Sequence, residues 1–244
     1  QGLGEFYYKA TRDITGIVSD QDRMVLESAW AVGKENVRLG PGFNLVSFPF
    51  LFNQNSLDAV IGAQPQMTRG SVDTGNRVYL KDSAASWGMQ NAYLSTAGQW
   101  LWSNSGTACD MAVEAKRGYL ILNKSAADEI ITIVGDVPNQ AQQLSLSQGF
   151  NAIGILFPTK VGLAQLGLFG ISGITAGTVD TGDRIYAKTD STSWGMPNVF
   201  LAADGKWYWS NSGVEATDFE LQLPRGYYYL LKGAATVNTT RTAP

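Results

Sequence analysis

The chain repeats itself at a fixed interval, and that duplication limits the folds open to it more than any other feature. Gly42-Phe43-Asn44 returns as Gly149-Phe150-Asn151, Val72-Asp73-Thr74-Gly75 as Val179-Asp180-Thr181-Gly182, and Ser86-Trp87-Gly88-Met89 as Ser193-Trp194-Gly195-Met196, each 107 positions later. Trp102-Ser103-Asn104-Ser105-Gly106 recurs as Trp209-Ser210-Asn211-Ser212-Gly213 at the same spacing. Aligned without gaps, 42–106 and 149–213 share 26 identities over 65 positions. After one inserted residue both copies close on Arg-Gly-Tyr, at Arg117-Gly118-Tyr119 and Arg225-Gly226-Tyr227. One folding unit has been built twice, and whatever the first copy forms the second must form too.

Within a copy, short β-branched and aromatic runs alternate with Gly, Asn, Asp and Ser turns, the pattern of an all-β sandwich or barrel. The runs Leu45-Val46-Ser47-Phe48, Arg77-Val78-Tyr79-Leu80, Gln99-Trp100-Leu101-Trp102 and Tyr119-Leu120-Ile121-Leu122 read as strands of the first copy. Leu57, Val60 and Ile61 fall at i, i+3 and i+4, so one short helix interrupts each repeat. The expected architecture is all-β, with two homologous tandem sandwich or open-barrel domains and an extended N-terminal arm. Residues 1–27 match nothing in the repeat and form the arm; 28–128 form the first domain and 129–244 the second. Lys124 to Asp128 is the link, too short to let the domains roam, so they should pack together.

Composition removes many functions. The 244 residues contain no His and a single Cys, Cys109, which excludes Ser-His-Asp and Cys-His catalysis and His-ligated zinc. Cys109 has no partner within the chain and reads as a small buried residue, with an intermolecular disulfide as the alternative. Net charge is only −3 and no basic run appears, so nucleic acid is not an expected partner. No apolar run reaches the roughly 18 residues that span a bilayer, so no transmembrane segment is expected. The chain opens on Gln1 rather than Met and is rich in Ser, Thr, Asn, Gln and Gly; both fit an exported protein whose leader has been removed.

The order of elements carries a resemblance. An apolar strand with Gly, Asp and Pro (Ile133 to Pro138) precedes Leu144 to Ala152; a turn and strand follow at Thr181 to Tyr186, a tryptophan strand at Lys206 to Trp209, and a closing run at Pro224 to Leu230. This resembles a tandem-repeat β-domain found in secreted and surface proteins of environmental bacteria. The resemblance covers both repeats and leaves residues 1–27 out. It implies an extracellular address and a non-enzymatic role, with no catalytic residue and no cofactor.

Four features could carry chemistry. Two Asp-Thr-Gly triplets, at Asp73 and Asp180, invite comparison with aspartic proteases, in which such loops share one proton. Here the strand follows the triplet instead of leading into it, which favours a tight turn with Gly75 and Gly182 at positive φ and the Asp closing on backbone N–H groups. Asp180 and Asp183 offer oxygen ligands for calcium, but the first copy has Asn76 in place of the second carboxylate. Six tryptophans are repeat-paired: Trp87 with Trp194, Trp100 with Trp207, and Trp102 with Trp209. Residues two apart on a strand share a face, so Trp100 and Trp102, like Trp207 and Trp209, either build a core or form a platform for glycans. Finally, Phe6, Tyr7, Tyr8, Ile14, Ile17 and Val18 supply the arm with apolar surface that self-contained repeats do not need. Such an arm can add to a sheet edge, in its own domain or in a neighbour's; the second case makes a homopolymer, a filament or coat. The leading expectation is a self-assembling structural protein, and the alternative is a tandem carbohydrate-binding module.

Overall fold

Alternation of buried and exposed residues builds two sandwiches, one from each copy. The computed structural model describes residues 7–8, 31–82, 84, 89–193, 195–233 and 236–241, and the chain is all-β. The first unit contains β1 (Tyr7–Tyr8), β2 (Ala31–Leu39), β3 (Gly42–Ser47), a helix α1 (Leu57–Val60), β4 (Arg77–Leu80), β5 (Gln90–Leu94), β6 (Trp100–Trp102), β7 (Gly118–Asn123) and β8 (Glu129–Asp136). The second contains β9 (Gln142–Leu146), β10 (Gly149–Ile153), β11 (Val161–Gly162), β12 (Arg184–Ala187), β13 (Asn198–Leu201), β14 (Trp207–Trp209), β15 (Glu220–Leu221), β16 (Tyr227–Leu231) and β17 (Val237–Arg241). Where the first copy has α1, the second has a single 3-10 turn, Leu163–Leu166.

In each unit an outer sheet lies over a five-stranded inner sheet. The inner sheets run β3-β7-β4-β5-β6 and β10-β16-β12-β13-β14, the same order in both copies; the outer sheets run β1-β2-β8 and β17-β9. Val37, Leu39, Ile131 and Ile133 from the outer sheet meet Val46, Val78, Leu94, Trp100, Tyr119 and Ile121 in the first core. Removing each such side chain from water contributes about 1.5–3 kcal/mol. The second core repeats this with Leu146, Ile185, Val199, Leu201, Trp207, Tyr227 and Tyr229.

β8 corrects the expected domain boundary. It pairs with β2 from Val32↔Asp136 to Leu39↔Glu129, and it buries Ile131 and Ile133 in the first core. The segment 124–128 is therefore a turn inside the first unit, held by Asn123 Nδ2 donating to the Ala127 carbonyl at 2.9 Å, and the chain passes between units at 137–141. Gly33 and Gly135 look like repeat copies in the sequence but are opposite partners in the register. Both are glycine because Phe50 lies across them: a Cβ on Gly33 would stand 2.2 Å from its ring, and one on Gly135 would stand 2.7 Å from its Cβ.

The inner sheets meet back to back. Leu45, Leu120 and Tyr228 form a third core between them, flanked by Phe43, Tyr79, Phe150, Ala152 and Tyr186. Four of the backbone hydrogen bonds across it form two exchanged pairs: Phe43 N–H donates to the Ser191 carbonyl at 2.9 Å, and Phe150 N–H to that of Ala84 at 3.0 Å. Ser47 N–H to Pro224 O (2.8 Å) is matched by Gly154 N–H to Lys116 O (2.9 Å). Such reciprocity is the mark of an approximate two-fold axis, here within one chain. Burial in this layer pushes the Tyr228 hydroxyl up to about 12.

Candidate functional site

The residues singled out for chemistry divide into those that serve the cores and those at the outer sheets. Trp100 is fully buried, with its indole N–H donating to the Gly62 carbonyl at 3.0 Å, and Trp207 is buried in the second core. Trp102 and Trp209 pack against the same cores and donate to Asp110 at 3.0 Å and Asp218 at 3.1 Å. Trp100 and Trp207 are thus core residues, while Trp102 and Trp209 are half-buried; Trp87 and Trp194 lie outside the described residues. Cys109 is a free thiol packed in the first core.

The Asp-Thr-Gly segments are turns, though not by the expected device. Thr74 Oγ1 and Thr181 Oγ1 accept from the N–H of Ser71 and Thr178, each at 2.9 Å, while Asp73 and Asp180 point to solvent and pair with Arg77 and Arg184 at 3.5 and 3.7 Å. Gly75 and Gly182 are not at positive φ. They are glycine because a Cβ would stand 2.3 and 2.4 Å from the carbonyl oxygens of Leu94 and Leu201. Each aspartate is thus an exposed turn residue paired with the arginine four positions on.

Asp183 and Asp180 do not converge on a cation either. Asp183 is fully buried and accepts from Thr175 N–H (3.1 Å), Tyr229 O–H (3.0 Å) and Lys232 N–H (2.7 Å). Burial raises its carboxyl above the usual range against the pull of those donors. The first copy reaches the same end with other residues. Asn76 accepts from Lys124 N–H at 2.8 Å and donates to Glu129, and Glu129 accepts from Thr68 N–H (3.0 Å) and its hydroxyl (2.7 Å). A buried carboxylate thus joins the inner sheet to the loop before β4 in the first unit and to the loop before β12 in the second. It comes from β8 in the first and from Asp183, the residue just ahead of β12, in the second.

The outer sheets differ between the copies. Tyr7 and Tyr8 of the arm pair with Val32 and Ala31 of β2, so the described part of the arm extends the sheet of its own chain. Phe6, Ile14, Ile17 and Val18 lie outside the described residues. The opposite edge, along β8, is covered at two points. Leu51 exchanges backbone hydrogen bonds with Asp136 (2.8 and 2.9 Å), and the Gln64 side-chain amide acts as a strand surrogate on Thr132, accepting at 2.8 Å and donating at 2.9 Å. Beside these covers an open depression of about 360 Å³ is lined by Leu51, Phe52 and Val134. In the second unit, Ile171 stands at the position of Gln64 and Pro158 at that of Leu51, and among the described residues nothing pairs with either edge of β17-β9. The edge covers carry no motif; the signal for them is divergence between copies that otherwise match.

No known protein family, characterised protein or solved structure matches the chain. Among the described residues no helix is long and apolar enough to cross a membrane, and no three Asp, Glu or Cys side chains gather as metal ligands.

Proposed function

We propose that this chain is a secreted structural subunit that assembles with copies of itself into an extracellular filament or surface coat, linked through its N-terminal strand. The observation that carries the reading is β1. Two residues of an arm outside the repeat add to a sheet edge, and 22 residues, 9–30, separate them from the strand they pair with. A strand tethered by that much chain can pair with its own domain or with the same edge of another molecule, and the second arrangement propagates when it is not closed by rotation. The extracellular assignment rests on composition and on the resemblance of the repeat to domains of secreted proteins. No catalytic step is assigned.

The test uses the full chain beside a variant lacking residues 1–18. Light scattering and electron microscopy should show polymers for the full chain, while the truncated protein stays folded by circular dichroism and monomeric. Polymers formed equally by the truncated chain, or a full chain that stays monomeric at high concentration, would refute the proposal.

A further inference from the structure

The acceptor for the donated strand follows from a comparison of the two outer sheets. Thr132 and Asp136 of β8 turn their backbone N–H and C=O groups toward Gln64 and Leu51, away from β2. Residues directly opposite in an antiparallel ladder share this orientation, and it alternates along the strand. Val32 and Asn36 are the opposite partners, so Lys34, Asn36 and Arg38 direct their backbone groups to the side on which β1 lies. Asn36 and Arg38 correspond to Gln143 and Ser145, 107 positions on. The registers agree, since Arg38↔Ile130 becomes Ser145↔Asn238. β9 therefore presents the backbone of Gln143 and Ser145 to an edge that no described residue occupies.

Edge strands of soluble proteins are normally blunted by charge, proline or a cover. The first unit has such protection: exposed Lys34 and Arg38 on β2, and β1, Gln64 and Leu51 as covers. In the second, Ala141 and Ser145 replace Lys34 and Arg38, and β9 and β17 together carry one charged residue, Arg241. Gln143 and Ser145 are exposed.

We infer that the β9 edge, residues 142–146, is the acceptor site for the N-terminal strand of a second copy of this chain. The inference rests on the strand-donation reading and names the site that reading leaves open. Three observations choose this occupant. The strand already lies along β2, the repeat counterpart of β9. Along β2 the described pairing covers two residues, on an edge that carries Lys34 and Arg38, whereas β9 offers five uncharged residues. The 22 residues of 9–30 can extend to roughly 75 Å at about 3.4 Å each, well past a folded unit with a radius of gyration of about 13 Å. The added strand would complete a three-stranded outer sheet in the second unit, as β1 does in the first.

Cross-linking tests this in the full-length protein. One pool carries Tyr8→Cys and a second carries Gln143→Cys; Cys109 is buried, only 6% exposed, and does not compete for the reagent. Mixed under assembly conditions with a short bismaleimide, the two pools should give a covalent dimer, and a control pool with Ala31→Cys should not. A second variant, Gln143→Pro, removes the edge N–H; it should keep the parent's circular dichroism and lose polymer formation. Adducts at Ala31→Cys alone, with polymers present, would overturn the β9 assignment and leave strand donation standing. Polymerisation of Gln143→Pro at the parent's level would overturn it as well. A parent chain that never assembles would remove both readings together.

Discussion

Replacing Glu129 with Val, the residue at the corresponding position 237 of the second copy, tests whether the buried carboxylates are interchangeable solutions to one problem. Glu129 is 3% exposed and is the acceptor for Thr68 N–H at 3.0 Å, the Thr68 hydroxyl at 2.7 Å and the Asn76 amide. Glu129→Val leaves those three donors without an acceptor in a site that solvent does not reach. A buried donor left unsatisfied costs about 1–3 kcal/mol. The hydroxyl can rotate to another acceptor, so the two remaining donors set an expected loss of roughly 2–6 kcal/mol, a large share of a typical domain's 5–15 kcal/mol. The second copy shows the remedy: Asp183 takes the place of Asn76 and Tyr229 that of Ile121, so the carboxylate comes from the inner sheet itself. The triple variant Asn76→Asp, Ile121→Tyr, Glu129→Val should recover most of the loss even though each of its first two changes is unfavourable alone, a coupling that a mutant cycle isolates. Urea denaturation followed by tryptophan fluorescence gives the numbers. A Glu129→Val variant within about 0.5 kcal/mol of the parent, the range of ordinary surface changes, would show that the three donors find other acceptors; a triple variant no more stable than the single one would show that the two carboxylates are not interchangeable.

Gly33→Ala should cost about 1–3 kcal/mol through overpacking against Phe50, because the new Cβ would stand 2.2 Å from the ring. Adding Phe50→Leu should restore part of it, and thermal melts that show Gly33→Ala to be neutral would contradict the contact. For Asp183, burial holds the folded carboxyl above its unfolded value of about 3.9, so its contribution to stability is full below that pH and falls as pH rises through the folded value. The stability gap between the parent and Asp183→Asn, measured by urea titration from pH 4 to 8, should therefore shrink with rising pH. A gap that widens would mean that the three hydrogen bonds outweigh desolvation.

Much of the architecture is legible in the sequence because alternation has period two and repeats twice. β4 spans Arg77–Leu80 as the alternation predicts, and Trp100 and Trp102 share a face. What escaped depends on pairing between distant residues. Ile133-Val134-Gly135 imitates Ala31-Val32-Gly33 because both strands need a glycine under Phe50, so pairing partners pass for repeat copies. β5 and β13, at Gln90–Leu94 and Asn198–Leu201, lie next to the Trp-Gly-Met segments and lack a clean apolar run. Asp183 looks like a surface acid until Thr175, Tyr229 and Lys232 close around it, the last two contributed from 46 and 49 residues away. The Gly75 and Gly182 positions signal a turn correctly and mislead about the reason, since a close carbonyl and a positive φ leave the same residue in the sequence.

The duplication and the proposed assembly bear on each other through symmetry. An approximate two-fold within one chain makes the two ends of the molecule near copies, and two identical sticky ends would pair isologously with no fixed direction along a polymer. A directed filament needs the ends to differ. The inner sheets keep the symmetry, with Phe43 and Phe150, Tyr79 and Tyr186, and Leu120 and Tyr228 in matched places. The outer sheets break it: one carries an extra strand and edge covers, while the other carries neither among the described residues. On the proposed reading, that is the division a head-to-tail polymer requires, with a donor at one end, an acceptor at the other, and a rigid symmetric centre that fixes the distance between them. Restoring the symmetry should then abolish directed growth. A chain in which β9 and the residue before it carry the charges of β2, through Ala141→Lys and Ser145→Arg, would present two protected ends and remain a monomer.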